Sequence, residues 1–191
     1  MTTLETNSFD ALMTQGMAAS QANDAEQAIT CFQKASDALP EAGLPQFLLG
    51  AEFAALGDMN RAETAFANAT RLMPAFPMAR YQLGLLQFSS GRAAIALLTW
   101  QPLLELPETD ALPHFVAGFT ALAQDRPAEA LTHFDRGLPL NRDNEALSGD
   151  IVKVMNGIRA AIGSTQLASS SPTEAEAHVL LAGYQQRGPA H

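Results

Sequence analysis

The chain has 191 residues and a single cysteine, Cys31, so no disulfide can close within it. Cations are scarce: 11 Lys and Arg stand against 20 Asp and Glu, a formal net charge of -9. Those cations never gather into the basic stripe that a nucleic-acid surface needs to displace counterions, which excludes nucleic acid as a partner. An acidic surface favours solubility and disfavours an anionic membrane as partner. No stretch approaches 18 uninterrupted apolar residues, so no membrane span is expected. The opening "MTTLETNSFDALM" lacks the basic start and apolar run of a signal peptide, and the chain reads as cytoplasmic. No glycine-rich loop follows a strand pattern, which removes the usual nucleotide cradle.

What is present is helix-forming and periodic. Hydrophobic residues make up 47% of the chain and charged residues 16%, a globular composition rich in Ala and Leu. Glycines fall at Gly16, Gly50, Gly84 and Gly118, each 34 residues after the last. Alanines keep the same period at Ala28, Ala62, Ala96 and Ala130, and large aromatics keep it at Phe32, Phe66, Trp100 and Phe134. Ala35 and Ala69 extend a fourth column before Leu103 and Gly137 replace them, and Pro40 and Pro74 close the first two units. Each unit contains two helix-length segments around a break. In the second unit Gly57 ends one helix and Asp58 caps the next. Gly50 and Ala62 let the two backbones of a hairpin approach, and Phe66 fills the gap to the neighbouring hairpin. One hairpin cannot bury its own apolar face, so the units must stack.

This order of small, small, aromatic, small and Pro at a period of 34 residues resembles the tetratricopeptide repeat. The resemblance covers roughly residues 9 to 142. It implies an all-α solenoid of four helix-turn-helix repeats over 9–42, 43–76, 77–110 and 111–144. Units three and four depart at their ends, where Glu108 and Arg142 replace the closing Pro and Pro107 and Pro139 stand nearby. Leu12, Gln46, Arg80 and His114 occupy the column where the family carries a large aromatic. The apolar stripe Leu147, Ile151, Val154, Met155, Ile158 and Ile162 predicts a capping helix over 144–162. Together, 1–162 form the array with its cap. By composition 163–172 is a flexible linker, and 173–191 is an appendage with a short helix.

The same resemblance implies a non-enzymatic binding module whose first helices line a concave groove. In this chain that face is apolar from the second unit onward. The candidate contact residues are Met17, Leu44, Phe47, Met78, Tyr81, Leu85, Phe88, Leu112, Phe115 and Phe119. Phe and Met suit adaptable recognition of an apolar helical segment of a partner protein. Two other readings remain open: the face is core packing between units, or the C-terminal helix, with Val179, Leu180, Leu181 and Tyr184, folds into the groove or into that of a second copy. Family members that grip acidic C-terminal tails use Lys, Arg and Asn here, and Met13, Met17, Phe47 and Tyr81 cannot build that clamp. The alternative function is a holding chaperone for a secreted client, because chaperones of type III secretion share an apolar groove.

Reactive chemistry finds little support. His114, His133, His178 and His191 share no ligand spacing, so neither a metal nor another cofactor is expected. Cys31 lacks a basic partner that would activate it. The acidic pairs at 108–110 and 143–145 fall at helix starts, where capping explains them.

Overall fold

The computed structural model describes residues 3–169. Among them there is no strand. The helices are α1 (Thr3–Gln21), α2 (Ala25–Ala38), α3 (Gly43–Ala55), α4 (Met59–Leu72), α5 (Pro77–Ser89), α6 (Ala93–Trp100), α7 (Ala111–Ala123), α8 (Pro127–Gly137) and α9 (Glu145–Ser169). The chain divides into two compact units, with the boundary between Asn141 and Arg142. In the first unit α1 pairs with α2, α3 with α4, α5 with α6 and α7 with α8. Each second helix also packs on the next first helix. This is the solenoid arrangement that the period implies.

The four hairpin turns are one motif. Asn23, Gly57, Gly91 and Asp125 all take positive φ, at 59°, 78°, 76° and 55°. Each is followed by a residue whose N–H donates back to the carbonyl five residues earlier. The pairs are Asp24 to Ala19, Asp58 to Phe53, Arg92 to Gln87 and Arg126 to Ala121, at 2.9 to 3.0 Å. These bonds satisfy carbonyls orphaned by the ending helix and aim the chain into its return. Asp24 and Asp58 then cap the second helices, accepting from the N–H of Gln27 and of Arg61. The Arg61 backbone N–H, and then the Arg61 side chain, hold the Asp58 carboxyl below its usual range.

The second helices bury one repeated face. Ala28, Phe32 and Ala35 in α2 correspond to Ala62, Phe66 and Ala69 in α4, all buried. The column glycines sit under the column aromatics. A Cβ on Gly16 would meet Phe32 at 2.5 Å, on Gly50 it would meet Phe66 at 2.6 Å, on Gly84 Trp100 at 2.2 Å, and on Gly118 Phe134 at 2.4 Å. Each ring therefore seats over the glycine of its own hairpin. Phe66 also joins Leu83 and Leu86 of the next unit in one core cluster.

Where the closing Pro column drifts, helix geometry tightens. Short 3₁₀ turns follow α6 at Gln101–Glu105 and α8 at Leu138–Leu140, each with a proline at its start. Pro102 and Pro139 lack the N–H that would continue the α-helical ladder. Between the second and third units, Glu63 of α4 accepts both guanidinium nitrogens of Arg92, at 2.9 and 2.7 Å. Gln87 joins Glu63 at 3.4 Å and accepts from Thr99 at 2.7 Å. The Arg92 hydrogen bond, helped by Gln87, holds the Glu63 carboxyl below its usual range, against burial.

In the second compact unit, which starts at Arg142, α9 carries Leu147, Ile151, Met155 and Ile158 on one stripe, all buried. It starts one residue later than expected and runs seven residues further, to Ser169. The linker placed at 163–172 therefore does not begin at Gly163. One interior glycine costs a helix only about 1 kcal/mol, and the Ser164 hydroxyl is absorbed by the Ala161 carbonyl at 2.8 Å. The remainder of that linker and the appendage 173–191 lie outside the described residues. Among the described residues no helix is long and apolar enough to cross a membrane.

Candidate functional site

The first-helix face divides into an exposed half and a core half. Met17 of α1 and Leu44 of α3 are each 42% exposed. Phe47, Met78, Leu85, Phe88 and Leu112 are half-buried. Tyr81, Phe115 and Phe119 are buried, at 0%, 0% and 3% exposure, and leave the candidate set as core residues.

The reason for the burial is the aromatic column. Trp100 replaces Phe in the third unit, and its larger ring stacks against Tyr81 at 6.1 Å, Phe88 at 5.8 Å and Phe119 at 5.4 Å between centroids. Phe119 also meets Phe88 and Phe134, both at 5.2 Å. Gly137 stands where the first two units have Ala, and a Cβ there would lie 2.6 Å from the Phe115 ring. The missing methyl makes the hole that Phe115 fills. In units three and four, packing within and between hairpins thus consumes side chains that the spacing alone places on a working face.

Toward the first two units the face stays open. Phe47 rests on Phe66 at 5.8 Å and edge-on against Phe76 at 5.1 Å, so its ring is positioned while part of it meets solvent. A small cleft of about 150 Å³ lies between the second and third units, lined in part by Ala54, Met59, Gln82 and Leu85. Met59 is 46% exposed at its edge. The lining is mostly apolar, with the Gln82 amide and the Ser89 hydroxyl as its polar groups and no charge, which fits a hydrocarbon side chain better than a charged one.

The described residues bring no reactive groups together. No three of His, Cys, Asp or Glu among them could hold a metal ion. His114 Nε2 lies 2.8 Å from the Glu108 carbonyl, His133 lies 3.7 Å from Glu129, and Cys31 is buried. His178 and His191 fall outside the described residues.

A second apolar surface escaped the residue-by-residue reading. A groove of about 440 Å³ opens beside α6, over Leu97, Leu98, Leu104 and Val116. Its signal lies in the sequence: Ala93–Trp100 contains no charged residue, unlike the other second helices.

No family model and no curated protein matches the chain. Solved structures do. MamA residues 41 to the end, from Desulfovibrio magneticus RS-1, aligns with a TM-score of 0.60 at 16% identity, over 86% of this chain and 98% of that one. The Cut9–Hcn1 hetero-tetramer of the APC/C aligns with a TM-score of 0.71 at 21% identity, over 81% of this chain and 30% of that one. A Thermobaculum terrenum O-GlcNAc transferase mutant aligns with a TM-score of 0.58 at 21% identity, over 74% of this chain and 27% of that one. Likeness at such identities is likeness of fold, and with the 34-residue columns seated as described, the fold is that of a tetratricopeptide-repeat array.

Proposed function

We propose that this chain is a non-enzymatic scaffold that binds an apolar, helical segment of a partner protein along its first-helix face. The observation that carries the reading is the exposure of Met17 and Leu44, 42% each, on first helices whose buried faces are already filled. Phe47, Met78 and Leu85 extend the surface, half-buried and held by neighbours. Large flexible apolar side chains left in water on a repeat scaffold suit an i, i+3, i+4 helical ligand. Cut9 and MamA share the fold, and Cut9 is itself described in a hetero-assembly, which supports a binding role for the scaffold. We place the chain in the cytoplasm.

The test is capture of partners by the full chain and by a Met17→Lys, Leu44→Lys variant. Both positions are exposed, so the variant keeps its helical circular dichroism. Partners that bind the wild type and are lost from the variant support the reading. Partners retained unchanged by a folded variant sink it.

A further inference from the structure

The third unit breaks the polar pattern of the array's outer columns. One column reads Gln27, Arg61, Ile95 and Glu129; the next reads Thr30, Thr64, Leu98 and Thr132. All eight positions are exposed. Three units place polar groups there, as a solvated helix face should. Only the third places aliphatic groups, with Ile95 46% and Leu98 72% exposed. Leu104, on the 3₁₀ turn that follows, is 50% exposed. Beside them lies a groove of about 440 Å³ lined by Leu97, Leu98, Leu104 and Val116, with Ala94, Gln101 and Thr120 completing it. Val116 is 1% exposed and forms its floor. The one hydroxyl in the lining, Thr120 Oγ1, donates to the Val116 carbonyl at 2.8 Å, which leaves the exposed Gln101 amide as the polar side chain of an otherwise hydrocarbon groove.

The segment that carries most of the groove is acidic in sequence. Residues 93–125 contain Glu105, Glu108, Asp110 and Asp125 and no Lys or Arg. All four carboxylates are exposed, and Glu105 directly follows Leu104. The cations that flank this stretch are engaged: Arg126, next after Asp125, pairs with Glu129, and two others reach α6. Arg92 is engaged by both oxygens of Glu63, and Arg80 donates to the Thr99 carbonyl at 3.5 Å.

We propose that the α6 face is a second docking surface, separate from the first-helix face, for a cationic amphipathic helix whose Leu or Ile side chains enter the groove while flanking Lys or Arg meet the carboxylates. Charge decides among occupants. A second copy would set acidic rim against acidic rim on chains of net charge -9. The chain's own apolar run Val179–Leu181 follows Glu174 and Glu176, the same sign as the rim. An anionic lipid surface is repelled for the same reason.

The test titrates the full chain, by calorimetry, with three synthetic helical peptides of about four turns: Leu/Lys, Leu/Glu with the same apolar face, and Ser/Lys with the same charge. The expected result is one-to-one binding of Leu/Lys alone, weakened by added salt. Leu98→Gln and, separately, Ile95→Gln should each weaken it about tenfold, the size of a lost aliphatic anchor. Both positions are exposed, Gln27 stands in the Ile95 column and Thr fills the Leu98 column in the other three units, so both columns accept polar side chains and the variants fold. Glu105→Lys, Glu108→Lys and Asp110→Lys together should transfer preference to Leu/Glu. Equal affinity of Leu98→Gln and wild type overturns the proposal. So does equal binding of Ser/Lys, which is charge alone, or of Leu/Glu, which is greasiness alone. Self-association of the chain abolished by Leu98→Gln assigns the face to a second copy and overturns it too. Met17→Lys, Leu44→Lys leaves Leu/Lys binding unchanged if the two surfaces are separate; its loss in that variant overturns the placement at α6.

Discussion

Trp100 donates its indole Nε1–H to the carbonyl of Tyr81 at 3.0 Å, from the second helix of the third hairpin to the first. The other three units carry Phe at this place and make no such bond. Trp100 is thus both the largest ring in the column and a polar clasp in a fully buried site. A buried indole needs that partner, since an unpaired N–H would cost a good part of what the ring contributes. Trp100→Phe restores the residue of the other units yet should destabilise the chain by about 1–3 kcal/mol, from the lost bond and the cavity. Urea unfolding followed by far-ultraviolet circular dichroism measures it.

Glycines in this chain differ by surroundings, and alanine scanning should separate them. A Cβ at position 84 would lie 2.2 Å from Trp100 Nε1. Gly84→Ala should therefore cost about 2 kcal/mol through overpacking, despite the better helix propensity of Ala. A Cβ at Gly149 meets nothing within 4 Å, inside helix α9. Gly149→Ala should stabilise by about 0.5–1 kcal/mol. Thermal melts of the two variants should move in opposite directions.

The turn column predicts another opposed pair. Gly57 and Asp125 hold equivalent positions with φ of 78° and 55°. Asp125→Gly relieves a left-handed non-glycine residue and should raise stability by about 0.5 kcal/mol. Gly57→Ala should lower it by about 1 kcal/mol although no atom stands in the way of its Cβ. Equal shifts of one sign would mean that the turn does not govern these positions.

Acid should weaken the junction between the second and third units. Glu63 has its carboxyl held below the ordinary value by the Arg92 hydrogen bond, and its unfolded counterpart titrates near 4.5. The folded state therefore binds the proton less well. The contribution is fully present above the unfolded value and is lost as pH falls through the depressed folded value. Glu63→Gln should lower stability at pH 7 and flatten its fall below pH 4.5 relative to wild type. Denaturation midpoints across pH 3 to 7 give the comparison; an unchanged acid slope would remove Glu63 from the account.

The first-helix face should answer substitution by halves. Phe115→Glu buries an unpaired charge at a site with 0% exposure and should abolish folding. Met17→Lys, at 42% exposure, should change stability by less than about 0.5 kcal/mol. Circular dichroism of the two proteins reads the division directly.

Much of the architecture is legible from spacing. Gly16, Gly50, Gly84 and Gly118 recur because an aromatic ring lies on each, and a close approach leaves no substitute. Gly57 and Gly91 mark two turns plainly, whereas Asn23 and Asp125 mark the same turn in residues that also serve as ordinary surface groups. The uncharged run Ala93–Trp100 was visible too, but an apolar helix of eight residues reads equally as core until its exposure is known.

A period of 34 residues, written in small and aromatic side chains, was sufficient to determine a stack of helical hairpins, because each ring seats on the glycine of its own hairpin in the same way. Which apolar residues then face water was decided by tertiary structure alone. Tyr81 and Phe47 occupy the same column, yet Tyr81 is fully buried and Phe47 half-exposed. The difference arises from neighbours far along the chain. Trp100 stacks against Tyr81, while the smaller Phe66 and the edge of Phe76 leave Phe47 partly open. Periodicity assigns a side chain to a face of its helix, and the volume of what packs there sets how much of it solvent can reach.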